Sequence, residues 1–65
     1  MDVKFKIDRK HLRLRIRDIN GGLNDYDADK INEYVEQHRL GRRIAYDIWK
    51  FNNKAALTMF LLKWQ

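Results

Sequence analysis

Residues 3–17 read Val-Lys-Phe-Lys-Ile-Asp-Arg-Lys-His-Leu-Arg-Leu-Arg-Ile-Arg, and apolar and charged side chains alternate through most of this stretch. A period of two places the apolar side chains on one face of a strand and the charged side chains on the other. The polar residues 8–11 between the two alternating runs suit a short hairpin connection. We therefore predict antiparallel strands over residues 2–8 and 11–17, with one buried face and one face in water.

A helix is predicted downstream of this hairpin, over residues 27–39. Asn20-Gly21-Gly22 interrupts the alternation and opens a loop. Asp27 can cap the start of the helix, and Gly41 can supply a left-handed stop at its end. One helical face collects Ile31, Tyr34, Val35 and His38.

Residues 43–51 are rich in β-branched and aromatic side chains, which favours a strand. Helical spacing also fits part of this segment, but its length and the Asn52-Asn53 pair that follows favour the strand. Alternation then places Ile44, Tyr46 and Ile48 on one face and Trp49 on the other.

Residues 54–64 are predicted to form a second helix, because Asn52 or Asn53 can cap it and its apolar residues share one face. The element order is then β-β-α-β-α, an α+β two-layer sandwich with the N-terminal hairpin and both helices on one sheet face. The main alternative is a C-terminal β-hairpin turning at Asn52-Asn53, which gives β-β-α-β-β. We expect one domain over residues 1–65, with a core centred on Phe5, Leu14, Ile16, Ile31, Val35, Ile48, Phe60 and Leu61.

Charge is distributed unevenly along a chain whose net charge is +5. Residues 1–17 carry a net +5, residues 18–36 carry a net −5, and residues 37–65 carry a net +5. Such asymmetry predicts one basic surface and one acidic edge. A net charge of this size is also ordinary for a small domain that must stay in solution.

Few side chains in this sequence are suited to catalysis. Serine and cysteine are absent and Thr58 is the single threonine, so nucleophilic hydrolysis is nearly excluded. His11 is expected in a solvated turn, and His38 is expected to be a partly buried core residue. The acids of residues 25–36 fit a calcium loop in part, but Lys30 stands where that loop needs glycine. We therefore predict a protein that is not an enzyme, with no catalytic residue, cofactor or metal.

The candidate site is the charged face of the N-terminal hairpin. Like charges opposite each other destabilise a strand pair, so a ligand that neutralises them would recover that cost. The ligand could be an acidic protein surface, or nucleic acid bound as a single strand or through a duplex backbone. The charges could instead serve only to prevent sheet-to-sheet aggregation. The predicted partner-binding residues are Lys4, Lys6, Arg13, Arg15, Arg17, Tyr46 and Trp49.

The C-terminal part of the chain carries an aromatic pattern. Trp49-Lys50-Phe51 is followed by Ala56 and then by Phe60, Leu62 and Trp64 at the spacing aromatic-x-Phe-x4-Ala-x3-Phe-x-Leu-x-Trp. This pattern resembles the ends of small uncharacterised proteins of tailed bacteriophages, over roughly residues 36–65. Ala55 stands where those proteins often carry aspartate. The resemblance implies a phage context, in which small proteins commonly bind and inhibit host proteins or defence complexes.

Composition and context give the remaining expectations. The absence of cysteine fits a reducing compartment, and no apolar run is long enough for a signal sequence or a membrane span. We predict a phage-encoded binding module in the host bacterial cytoplasm, without membrane contact, as a monomer or a weak homodimer. Its expected partner is an acidic host protein surface, and nucleic acid is the alternative.

Overall fold

The computed structural model describes residues 3–64, which form six elements in the order β-β-α-β-β-α. The strands are β1 (Val3–Asp8), β2 (Arg13–Asp18), β3 (Gly41–Ala45) and β4 (Ile48–Phe51), and the helices are α1 (Asp25–Gln37) and α2 (Lys54–Trp64). The strands form one antiparallel sheet in the order β1-β2-β4-β3. The predicted α+β class is confirmed. The predicted first residue of the first strand, Asp2, lies outside the described residues.

The N-terminal hairpin has both predicted strands in a regular register, but the second strand begins at Arg13 rather than at residue 11. β1 and β2 pair along their whole length, from Val3 opposite Asp18 to Asp8 opposite Arg13. The four-residue turn between them ends at Leu12, which adopts a left-handed conformation with φ 57°. The carbonyl of Leu12 accepts a hydrogen bond from the backbone N–H of Phe51 at 2.8 Å, so the turn is tied to β4.

The segment predicted as one strand, residues 43–51, is part of a hairpin, so the prediction of an unbroken strand is wrong. The chain turns at Tyr46-Asp47, and the register shifts between Arg43 and Ala45 at a bulge. The Arg43 side chain donates to the carbonyl of Tyr46 and holds the turn. The alternative hairpin at Asn52-Asn53 is also absent from residues 3–64, because α2 begins there.

The inward and outward positions of residues 48–51 are the reverse of those that we predicted. Trp49 lies opposite Leu14 and is fully buried, and Phe51 is buried beside it. Ile48 lies on the outer face opposite Arg15, so its predicted place in the core is wrong. Phe5 is half-buried at the edge of the core, and the other predicted core residues are buried: Leu14, Ile16, Ile31, Val35, Phe60 and Leu61.

Both ends of α1 differ from the prediction by a few residues. Asn24, rather than Asp27, caps the start, and its Oδ1 accepts from the backbone N–H of Asp27 at 2.8 Å. The left-handed residue after the helix is Arg39, with φ 53°, rather than Gly41. His38 is exposed, not part of the core, and its ring lies 4.4 Å from that of Tyr34.

The core lies between one sheet face and the two helices. The buried residues of α1, α2, β2 and β4 form a single apolar cluster, which places both helices on the same side of the sheet. Phe60 of α2 lies at its centre, with aromatic contacts to Phe5, Tyr34, Phe51 and Trp64. At the start of α2 the Oδ1 of Asn53 accepts from the N–H of Ala56 at 2.8 Å, which confirms one of the two predicted caps. The opposite face of the sheet has no helix over it within residues 3–64.

Gly41 is required by a close backbone contact, and we expect Gly41→Ala to destabilise the protein. A Cβ atom at this position would lie 2.1 Å from the carbonyl oxygen of Lys50, so β3 and β4 would have to separate. Overpacking of this kind costs about 1–3 kcal/mol. Gly22→Ala is the matched control, because its Cβ would meet no atom within 4 Å. Urea unfolding of both variants checks this, and equal midpoints would contradict it.

Candidate functional site

The uncovered face of the sheet is a continuous basic surface. Paired residues of an antiparallel sheet share a face, so the pairing register identifies the side chains on this side. Two of them, Arg42 and Lys50, were not predicted from the sequence. We call the basic sheet face the set of seven cations Lys4, Lys6, Arg13, Arg15, Arg17, Arg42 and Lys50.

Like charges lie directly opposite one another across this face. Within the N-terminal hairpin, Lys4 lies opposite Arg17 and Lys6 lies opposite Arg15. Lys50 lies between two cations, because it pairs with Arg13 of β2 on one side and with Arg42 of β3 on the other. Each such pair destabilises the ladder by a few tenths of a kcal/mol up to about 1 kcal/mol. The apolar core beneath the face therefore has to offset the repulsion between these cations.

Two carboxylates lie among these cations. Asp8 is opposite Arg13, and both of its oxygens are engaged by His11, whose N–H and ring nitrogen lie 3.2 and 2.9 Å away. These hydrogen bonds from His11 hold the pKa of Asp8 below its usual value. Asp47 lies 3.7 Å from the Nε atom of Arg15. The face thus keeps a large excess of positive charge.

Shallow open depressions cross the basic sheet face. One of 480 Å³ is lined by Lys6, Arg13 and Arg15 around the half-buried side chain of Ile48. A second of 280 Å³ lies between the cations of β1 and β2, and a third of 230 Å³ lies beside Arg42 and Lys50. Open hollows lined by cations suit the protruding side chains or oxygens of a large anionic partner.

An apolar rim borders one end of this face. β2 ends at Asp18 beside the β3–β4 turn, since the N–H of Ile16 donates to the carbonyl of Asp47 at 2.9 Å. Ile19, Ile44 and Tyr46 extend from this end with 55%, 43% and 49% of their surface exposed. Exposed apolar side chains beside a charged surface are typical of a protein interface.

Tyr46, a predicted partner-binding residue that alternation placed on the same face as Ile48, lies exposed at the turn, and its ring is fixed in place. Its hydroxyl donates to the Asp25 carboxylate at the start of α1, which raises the pKa of Tyr46. The guanidinium of Arg43 lies 4.8 Å from the Tyr46 ring and 5.0 Å from the Trp49 ring. Asp25 at the start of α1 and the Arg43 side chain thus hold the Tyr46 ring, and both contacts lie on the helix side of the sheet.

Trp49 does not belong to this surface, so its predicted position on the outer face is wrong. Its ring is 0% exposed and its Nε1 donates to the Asn32 side chain at 3.2 Å. The sequence contains a signal for this arrangement. Within residues 48–51, Ile and Lys share one face and Trp and Phe share the other, and the larger apolar pair is the one that a core selects.

The exposed acidic residues of α1 lie on the other side of the molecule. α1 buries Ala28, Ile31 and Val35 against the sheet. Its exposed side carries Asp29, Glu33 and Glu36. The acids that fit a calcium loop in the sequence therefore lie on a regular helix. Among residues 3–64, no three histidine or acidic side chains are placed to hold a metal ion.

The comparisons with known proteins give no family for this chain. It matches no protein-family model, and no curated protein and no solved structure is significantly similar to it. The resemblance to phage proteins stays a prediction. Neither helix within the described part of the chain is long and apolar enough to cross a membrane.

Proposed function

We propose that this chain is a non-catalytic binding module whose basic sheet face binds an acidic surface of a protein. The observation that carries the proposal is the set of like-charge pairs across an uncovered sheet face, Lys4 with Arg17, Lys6 with Arg15 and Lys50 with both Arg13 and Arg42. Carboxylates placed among these cations would replace repulsion by attraction at every pair. The energetic cost in the free protein is then recovered on binding.

The apolar rim favours a protein over a polyanion without apolar groups. Protein interfaces combine an apolar patch with a charged surround, and here Ile48 lies among the cations and the exposed Ile44 lies at the end of the same sheet. The phage context, and with it the inhibition or modulation of a host protein or defence complex in the bacterial cytoplasm, rests on the resemblance of residues 36–65.

The non-catalytic part of the proposal rests on the side chains available. The chain has no serine and no cysteine. His11 is paired with Asp8 in the first turn, and His38 lies at the end of α1 against Tyr34. These contacts give each histidine a structural explanation, so neither needs a catalytic one.

Binding to the backbone of duplex nucleic acid is the second candidate. It is favoured by the separation of charges, because the acids of α1 lie across the molecule from the basic sheet face and do not meet a polyanion docked there. Binding of single strands is less supported. Base stacking needs an exposed aromatic platform among the cations, but Trp49 is buried and Tyr46 is bound to Asp25 on the helix side of the sheet.

Reversing the charge of the central strand tests this function. We expect Arg13→Glu, Arg15→Glu and Arg17→Glu together to weaken binding to the partner by roughly a hundredfold or more, because each close charge pair turns from attraction to repulsion. The partner is first captured from bacterial lysate on the wild-type protein after nuclease treatment, and its affinity is then measured. The control reverses Lys30, Lys54 and Lys63, which changes the net charge equally but away from the face.

Salt dependence separates the two candidates. Duplex binding should show a log–log slope of about −0.9 for each phosphate contacted, so roughly −6 if all seven cations engage. A protein interface with an apolar rim should show a shallower slope and a loss on Ile44→Ala. Recovery of nucleic acid alone, with no protein retained after nuclease, would contradict the protein-binding proposal.

A further inference from the structure

The two edges of the sheet are not equally available for pairing. The β3 edge is irregular, since it carries the bulge between Arg43 and Ala45 and its arginine side chain folds back onto the turn. Bulges and charged side chains are the usual protections of an exposed edge. The β1 edge is regular over six residues, and β2 is its single strand neighbour in the described sheet.

Backbone groups along the β1 edge have no strand to pair with. In an antiparallel pair every second residue turns its N–H and C=O groups away from its partner strand. Outside the strand ladders, no backbone hydrogen bond between described residues uses residues 3–8. A row of unused donors and acceptors is a template for an added strand.

The two faces of β1 define what kind of strand could be added. On the outer side Lys4 and Lys6 are exposed, about 6.8 Å apart at the rise of an extended chain. On the helix side Phe5 and Ile7 are half-buried at the margin of the core. An incoming strand meets cations on one face and apolar groups on the other.

We propose that β1 takes up an extended acidic segment of the partner as a fifth strand, with acidic side chains at alternate positions beside Lys4 and Lys6. Apolar side chains at the intervening positions would extend the core past Phe5 and Ile7. This inference rests on the proposed function and deepens it, because the added strand continues the basic sheet face onto the partner's acids.

A second copy of the chain is a poorer occupant of this edge. Pairing of two β1 strands across a two-fold axis would place two basic sheet faces side by side on one sheet, with seven cations on each. The one carboxylate of β1, Asp8, is already engaged by His11. The same lysines therefore oppose self-pairing and favour an acidic strand.

The test uses a blocked seven-residue peptide that alternates Glu and Val, added to the full-length protein. Amide hydrogen exchange followed by NMR should slow at least tenfold at alternate residues of β1, and not at residues of β3. A peptide with the same composition in two blocks, Glu then Val, should not protect β1. A peptide alternating Lys and Val should not bind.

A charge exchange makes the test specific. Lys4→Glu with Lys6→Glu should lower affinity for the Glu–Val peptide about tenfold or more and should gain affinity for the Lys–Val peptide. Both positions are exposed, so the fold is expected to persist. Lys30→Glu with Lys63→Glu is the control of equal net charge, and it should leave both affinities close to those of the wild type.

Other outcomes overturn the proposal in distinguishable ways. Peptide binding without slowed exchange in β1 would mean that the face binds acids and no strand is added. Absence of peptide binding would overturn strand addition, while the charge-reversal test on the captured partner could still support the sheet-face function. A dimer in sedimentation with β1 amides protected in the protein alone would show that a second copy occupies the edge.

Discussion

Replacing Phe60 with alanine is expected to leave the chain largely unfolded at 25 °C. The ring is fully buried and contacts four other aromatic rings, from Phe5 on β1 to Trp64 at the end of α2. Truncating a buried phenylalanine costs about 3–5 kcal/mol. A chain of 65 residues has a total stability of roughly 3–10 kcal/mol at about 0.05–0.15 kcal/mol per residue. The loss is therefore comparable to the total free energy of unfolding.

Thermal and urea unfolding followed by circular dichroism measures this effect. Met59→Ala is the matched control, because Met59 is the neighbouring residue on α2 and half of its surface is exposed. We expect the control to unfold within a few degrees of the wild type. A cooperative transition of Phe60→Ala close to that of the wild type would show that α2 does not anchor the core.

Trp49→Ala is expected to destabilise the fold by about 3–5 kcal/mol and to affect binding only through that loss. Trp49 is fully buried opposite Leu14, and its truncation also leaves the Asn32 side chain without its indole donor. Urea unfolding measures the stability. Partner affinity is measured on Trp49→Phe, which fills most of the volume and keeps enough of the chain folded.

This experiment separates the two positions that have been assigned to Trp49. If Trp49 is a core residue, truncating it lowers the unfolding midpoint and leaves the affinity of the folded fraction unchanged. Tyr46→Ala at the exposed hairpin tip is the control. It is expected to weaken binding and to change the unfolding midpoint much less than Trp49→Ala does. If Trp49→Ala unfolded like the wild type and yet lost binding, Trp49 would lie on the surface, and the core described above would be wrong.

The elements that could be predicted from the sequence are those whose pattern lies within a single segment of the chain. The hairpin of residues 3–17 and the apolar faces of both helices depend on a repeat within one element, and the structure confirms them apart from His38, which is exposed. The turn at Tyr46-Asp47 contains one turn-favouring residue, Asp47, and no glycine, proline or asparagine. It is held by the Arg43 side chain and by pairing with β2, which are contacts between residues that sequence spacing does not reveal.

The candidate site was predictable to the same extent. The five cations of β1 and β2 follow from alternation alone, and the structure places them on one face. Arg42 and Lys50 join that face through the register of β4 against β2 and β3. This register depends on the turn at Tyr46-Asp47, which we did not predict from the sequence. The exchange of Trp49 for Ile48 on the outer face has a different cause: alternation separated these two residues correctly, but the wrong face of the segment was taken as the buried one.

The opposite positions of the basic sheet face and the exposed acids of α1 give the molecule a large electric dipole. The molecule extends 29 × 23 × 21 Å and the screening length is about 8 Å at physiological ionic strength, so an approaching ion feels the nearer side more strongly than the far side. The acidic partner that we propose would attract one side and repel the other, so the molecule would rotate into the productive orientation before contact. Added salt would slow the encounter more than it shortens the lifetime of the complex.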